Sequence, residues 1–146
     1  MIEITEKKID IAALLESVLV PEAGGIDIFL GTTRNHSEGK KIVRLVYEAY
    51  VPMAVTIMDH IENEIRERWS IHKISIVHRI GTVPIEEASV GIAVSASHRN
   101  EAFEACRYAI DQLKKNAPIW KKEVFENGSA WVEPAVLSQK SHIEPK

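Results

Sequence analysis

The chain has 146 residues, 45% of them hydrophobic and 27% charged, with a formal net charge of -3. That balance excludes a disordered or fibrous chain and suits one domain, which at this length buries roughly two thirds of the surface its unfolded form exposes. The mild acidity argues against a general nucleic-acid binder, and nowhere do about 18 apolar residues run together as a membrane span requires.

The start, Met1-Ile2-Glu3-Ile4-Thr5-Glu6, lacks the basic and apolar segments of a secretory signal, so a soluble cytoplasmic protein is expected. Asp10 can cap a short helix with Ile11, Leu14, Leu15 and Val18 on one side, closed by Pro21 and Gly24-Gly25. At residues 25–32, Ile26, Ile28 and Leu30 alternate with Asp27 and Phe29, which predicts a strand. The polar stretch 32–41 reads as a mobile loop. Residues 42–50 are rich in β-branched and aromatic side chains and predict a strand with Val43, Leu45, Tyr47 and Ala49 on one face.

Pro52 opens a long amphipathic helix reaching Trp69, with Met53, Ile57, Ile61 and Ile65 as its inward stripe. Segments 73–80 and 89–96 predict two strands around a turn region containing Gly81 and Pro84. Asn100 can cap a second long helix with Glu101 and Glu104 in its first turn and Lys114-Lys115 in its last, ended by Pro118. Its inward stripe is read as Phe103, Cys106, Ile110 and Leu113. Asn127-Gly128 between two apolar segments predicts a hairpin, and the tail from Pro134 has little to pack with. The predicted class is α+β: a single domain, residues 1–146, with a mixed, largely antiparallel sheet, two long helices, a short N-terminal helix and a C-terminal β-hairpin.

Three basic clusters are candidates for chemistry. Arg34 leaves the first predicted strand after Gly31-Thr32-Thr33, where its planar fork can reach an anion, although most loop arginines are merely solvated. His98-Arg99 precede a helix N-terminus, whose partial positive charge makes two further cations unfavourable unless an anion sits there. A histidine bonded within the fold explains His98 equally well. Lys114 and Lys115 are ordinary partners of a helix C-terminus, but Lys121 and Lys122 enter a strand, where one of the pair should point inward. A lysine crowded by cations or partly desolvated loses its proton more easily and can act near neutral pH.

The six histidines show no metal-ligand spacing, and there is no nucleotide-binding glycine motif or nucleophile elbow. One cysteine, Cys106, on an apolar helical stripe, excludes an internal disulfide and reads as buried and inert. Any sulfur used in chemistry would have to arrive from elsewhere. In His78-Arg79, strand alternation sends the two side chains to opposite faces, and one of them is read as structural.

Several segments in register carry a resemblance: residues 25–35, Tyr47-Glu48-Ala49-Tyr50 with Pro52-Met53-Ala54, Val77-His78-Arg79-Ile80-Gly81, Ser97-His98-Arg99, residues 117–123, and Trp131. Over residues 24–133 the chain resembles the catalytic (large) subunits of molybdopterin synthases, the MoaE family. The resemblance implies a sulfurtransferase of molybdenum cofactor biosynthesis. Such an enzyme converts cyclic pyranopterin monophosphate to molybdopterin with sulfur from the C-terminal Gly-Gly thiocarboxylate of a small ubiquitin-like subunit. It further implies Lys114 and Lys121 as catalytic, and Arg34, His98 and Arg99 as holding the phosphate and pterin, with Thr32, Thr33, Lys122 and Glu123 adjoining. No metal or other cofactor is implied. A homodimer core of a heterotetramer, with pockets that borrow residues across the dimer, is the implied assembly. Position 119 is Ile and position 135 is Ala where some relatives have Phe and Arg. Two readings without chemistry remain beside it: a phosphate- or nucleotide-binding regulatory module, and a scaffold subunit. A single-strand nucleic-acid binder stacking bases on Trp120 and Trp131 is disfavoured by the net charge.

Overall fold

The computed structural model describes residues 1–132; the predicted tail from Pro134, and Ala135, lie outside the described residues. Twelve elements follow one another: β1 (Ile2–Thr5), α1 (Ile11–Glu16), β2 (Gly25–Thr32), β3 (His36–Ser37), β4 (Lys40–Ala49), α2 (Val51–Arg68), β5 (Lys73–Arg79), β6 (Gly81–Pro84), β7 (Ala88–Ala96), α3 (Arg99–Asn116), β8 (Ile119–Phe125) and β9 (Gly128–Val132). The α+β class is as the sequence predicts, but the strands divide between two sheets. The first has the order β1-β5-β7-β2, with β1 parallel to β5 and the rest antiparallel. The second runs β3-β4-β8-β9, with β6 on the edge of β4 opposite β8.

Alternation along the central strands builds three layers. Ile74 and Ile76 of β5 and Val90, Ile92 and Val94 of β7 face Met58, Ile61 and Ile65 of α2 and Cys106, Ala109 and Leu113 of α3. Their neighbours Val77 and Ala93 face Leu14 and Val18 on the other side, beneath α1. Both faces are therefore buried, and complete burial of side chains such as Ile76 and Ile92 contributes about 2 kcal/mol each to the folded state. Asp10 caps α1 as predicted, its carboxylate accepting from the Ala13 amide at 3.1 Å.

Several expectations are corrected. Three strands went unread: β1, whose Ile2 and Ile4 pack on the α2/α3 core, β6, which occupies the supposed turn region, and the two-residue β3. The stretch 32–41 is not wholly a loop, because His36–Ser37 pairs with Lys40–Lys41 across Glu38-Gly39, both at positive φ. In β4 a bulge at Val43 shifts the register between Ile42 and Arg44, so Ile42 and Leu45 are buried and Val43 is exposed. On α2 the inward residues are Ala54, Met58, Ile61 and Ile65; Met53 is exposed, because a row of every fourth residue drifts about 40° per step round the helix. On α1, Ile11 and Leu15 are exposed while Leu14 and Val18 are buried. The hairpin turn is Glu126-Asn127, one residue earlier than read, with Gly128 opening the returning strand.

The cap of α3 is His98 rather than Asn100, without a side-chain cap bond. The buried face of α3 is Ala102, Ala105, Cys106, Ala109 and Leu113, while Phe103 is 54% exposed. Small residues let this helix lie close on the sheet, and two glycines fix where it starts. A Cβ at Gly24 would meet the Ser97 carbonyl oxygen at 2.4 Å, and one at Gly25 would meet the Arg99 Cα at 2.9 Å. Backbone cannot rotate aside, so Gly25→Ala is expected to displace the start of α3 and cost about 1–3 kcal/mol in a denaturant titration.

Gly81, at φ +83, lets the chain pass from β5 in the first sheet to β6 in the second after a single residue, Ile80. The sheets diverge from this seam, and the C-terminal end of α3 arrives beside it through Ala117-Pro118 into β8.

Candidate active site

The seam holds a cavity of about 230 Å³, walled by His78 and Ser89 from the first sheet, Tyr47 and Lys121 from the second, and Leu113 and Lys114 from the last turn of α3. Lys114 and Lys121 come together because Pro118 turns the chain between helix and strand. Strand alternation sends Lys121 inward, opposite Tyr47, and Lys122 to the other face, where its Nζ lies 5.3 Å from the Trp131 ring. The expectation that one of this pair points inward is met by Lys121. Glu123 shares the Lys121 face, paired with Leu45.

Lys114 is solvent-accessible along its side chain, yet the protein around its amine, and then the neighbouring Lys121, lower its pKa below the ordinary lysine value. Burial raises the Tyr47 phenol; the Ser89 hydroxyl offsets part of this and the Glu123 carboxylate adds to it. Burial, and to a lesser extent the charge of Lys114, bring His78 down to about 4, against a hydrogen bond to the Arg79 backbone that favours the charged ring. At neutral pH the cavity thus holds a neutral imidazole and an uncharged phenol beside the two lysines. Cys106 stays outside this chemistry: burial and the neighbouring Asp27 push its thiol up to about 12, as its predicted inertness requires.

The buried His78 has a consequence for stability. From its ordinary 6.5 down to about 4, the unfolded chain takes up a proton that the folded chain refuses, so stability is full above pH 6.5 and declines as pH falls towards 4. The imidazole accounts for about 3 kcal/mol of that loss. Melting curves across this range should fall steeply for the wild type and less steeply for His78→Gln.

The remaining sequence candidates occupy two other depressions. Thr32, Thr33 and Arg34 lie with Asn35, His36 and Glu86 around a hollow of about 480 Å³ beyond the end of β2. Thr33 is only 3% exposed, held by backbone bonds to Glu86 and Glu87, with its Oγ1 unpartnered. His98 and Arg99 border a third hollow of about 450 Å³ with Gly24, Ser97 and Phe103. Within one chain the expected single basic cavity is therefore not assembled. Arg99 and Lys114 stand at opposite ends of α3, about 22 Å apart along its axis. Arg34 lies nearer the lysines, because β2 runs from Gly25, against Arg99, to Thr32, paired with Ala88 beside Ser89.

His78, Tyr47 and Ser89 were not singled out as site residues from the sequence. The signal available was the strand pattern itself, which places His78 on the face of Ile74 and Ile76 and Arg79 on the other, where it donates to Glu87 at 2.7 Å.

Fold and cavity together define a class: an α+β subunit in which two lysines meet in a cavity at the sheet seam and whose one thiol is buried away from it. A profile of the MoaE protein family matches residues 4–116, and the chain belongs to that family. It is 47% identical over 142 residues to the molybdopterin synthase catalytic subunit of Arabidopsis thaliana, spanning 96% of this chain and 72% of that one. The crystal structure of molybdopterin synthase from Staphylococcus aureus superposes with a TM-score of 0.86 at 41% identity, over 90% of this chain and 96% of that one. The fold recurs, at 22% identity and a TM-score of 0.76, in a complex of subunits 1 and 2 of molybdopterin-converting factor from Helicobacter pylori, over 90% of each chain. No helix of the described residues is long and apolar enough to cross a membrane.

Proposed function

We propose that this chain is the catalytic subunit that inserts the dithiolene sulfurs of molybdopterin, converting cyclic pyranopterin monophosphate in the cavity between Lys114 and Lys121. The observation that carries this reading is the meeting of those two lysines at the sheet seam, with the Lys114 amine already below its ordinary pKa. The sulfur donor is the thiocarboxylated Gly-Gly tail of a small ubiquitin-like partner, a role supported by the lack of any reactive thiol in this chain. Each transfer forms a carbon–sulfur bond on the pterin in exchange for a carbon–oxygen bond at the same carbon, whose oxygen leaves as water or stays on the phosphate; the acyl carbon–sulfur bond of the tail is broken by water, and the tail leaves as a carboxylate. An anionic sulfur nucleophile and an anionic phosphate are both drawn to the amines. In this reading Lys114 contacts the reacting carbonyl and Lys121 moves the proton.

The phosphate site is completed by a second copy of the chain. Because Arg99 lies some 22 Å from Lys114 along α3, His98 and Arg99 reach a lysine cavity only from the neighbouring protomer. This supports a homodimer core with one small subunit at each end; Arg34, with Thr32 and Thr33, approaches from the lysine side. Reconstitution decides between this and a non-catalytic anion-binding module. Purified chain, thiocarboxylated small subunit and pterin precursor should yield a dithiolene product, whereas tight binding of the precursor without product would favour the module.

A further inference from the structure

We propose that His78 reads the substrate: its Nε2 lone pair accepts a hydrogen bond from a ring N–H of the heterocycle bound in the lysine cavity. The proposal deepens the functional reading above and rests on it. The tautomer follows from geometry. His78 Nδ1 lies 2.8 Å from the Arg79 carbonyl oxygen, which can only accept, so Nδ1 carries the hydrogen and Nε2 the lone pair. The ring cannot turn away: it is 7% exposed and meets the Tyr47 ring edge-on, with centroids 5.1 Å apart. It lines the cavity, and no hydrogen bond reaches Nε2 among the described residues.

The two lysines of the cavity are of opposite character. Lys114 from α3 and Lys121 from β8 can only donate while charged, whereas the Ser89 hydroxyl from β7, 3.3 Å from the Gly31 carbonyl, and the Tyr47 phenol from β4 can each donate or accept. His78 Nε2 is thus fixed as an acceptor by its own tautomer and set against two lysine donors. An anionic group is drawn to the lysines and repelled by the imidazole lone pair, so the cavity is polarised along its width. Phosphate and thiocarboxylate belong at the amines, and a donor-bearing edge of the heterocycle belongs at His78. A buried acceptor built to meet a donor discriminates strongly against ligands that lack one.

Asparagine and glutamine separate the two ring nitrogens. The amide nitrogen of His78→Asn can replace Nδ1 and keep the bond to Arg79 but leaves nothing at Nε2, whereas His78→Gln can bring an amide oxygen to the Nε2 position. With thiocarboxylated small subunit saturating and the pterin phosphate varied, His78→Asn should raise KM about tenfold and leave kcat within about twofold, the loss of one hydrogen bond. His78→Gln should return KM to within about threefold of the wild type. An unchanged KM in His78→Asn, equal KM defects in both variants, or a fall in kcat at constant KM would overturn the proposal, the last because it marks a residue that merely holds Lys114. A second measurement uses the wild type alone, so that misfolding of a variant cannot decide the matter. Pterins methylated singly at each ring nitrogen compete against the substrate, and one of them should inhibit about tenfold more weakly than its unmethylated parent. Equal inhibition by all would overturn the proposal. Absence of turnover by the wild type would instead overturn the functional reading, and this inference with it.

Discussion

Lys114→Ala should lower the rate of dithiolene formation at least about a thousandfold, with the fold and the affinity for the small subunit intact. Two features separate this outcome from simple destabilisation. The Lys114 side chain is solvent-accessible and its amine is crowded by Lys121, so truncation removes a repulsion and should change stability by no more than about 0.5 kcal/mol. The variant Lys114→Arg restores the charge but sets a broad, planar guanidinium where a compact amine contacts the reacting carbonyl. If the lysine served only to attract anions, the arginine variant would recover most of the activity; it is expected to stay nearly as slow as the alanine variant. Single-turnover assays with thiocarboxylated partner, together with melting curves, check both points.

The second large effect concerns the separation of Arg99 from Lys114. Arg99→Ala and Lys114→Ala homodimers should each be nearly inactive, yet co-expressed chains should form mixed dimers in which one site regains both residues. In such a dimer the Lys114→Ala copy supplies Arg99 and the Arg99→Ala copy supplies Lys114, leaving one whole site and one doubly damaged. Isolated by two affinity tags, the mixed dimer should show about half the wild-type rate, as expected when the residues of a site act as one unit. Activity no higher than that of either parent would mean that no site is shared between copies.

Much of this was legible because local chemistry and tertiary context agree. Gly25–Thr32 alternates and is a strand, Asp10 caps the helix it precedes, and Pro118 marks where α3 gives way to β8. The misreadings have physical sources. A row of every fourth residue does not stay on one helical face, so Met53 belongs to solvent and Met58 to the core. One bulge residue, Val43, passes its inward place to Ile42 while Leu45 keeps its own, with no compositional trace. Four-residue strands such as β1 and β6 carry too little pattern to announce themselves, since their pairing is supplied by β5 and β4, distant in sequence.

The site divides in the same way. The inward turn of Lys121 follows from its place in a strand, and its meeting with Lys114 from the short Pro118 link between them. His78 could not be told from a core histidine, because only the fold shows which cavity its free nitrogen faces. The distance between Arg99 and the lysines was implicit in helix length all along: fifteen residues of helix cannot fold back on themselves.

Zero-length coupling tests the placement of chemistry at Lys114 and Lys121 most directly. The C-terminal carboxylate of the small subunit, activated with a carbodiimide in the assembled complex, couples to whichever amine it faces, and peptide mapping identifies that amine. Attachment at Lys114 or Lys121 is the expected result, suppressed by added pterin phosphate. Attachment only at lysines remote from the seam, such as Lys7, Lys8, Lys40 or Lys41, would contradict it.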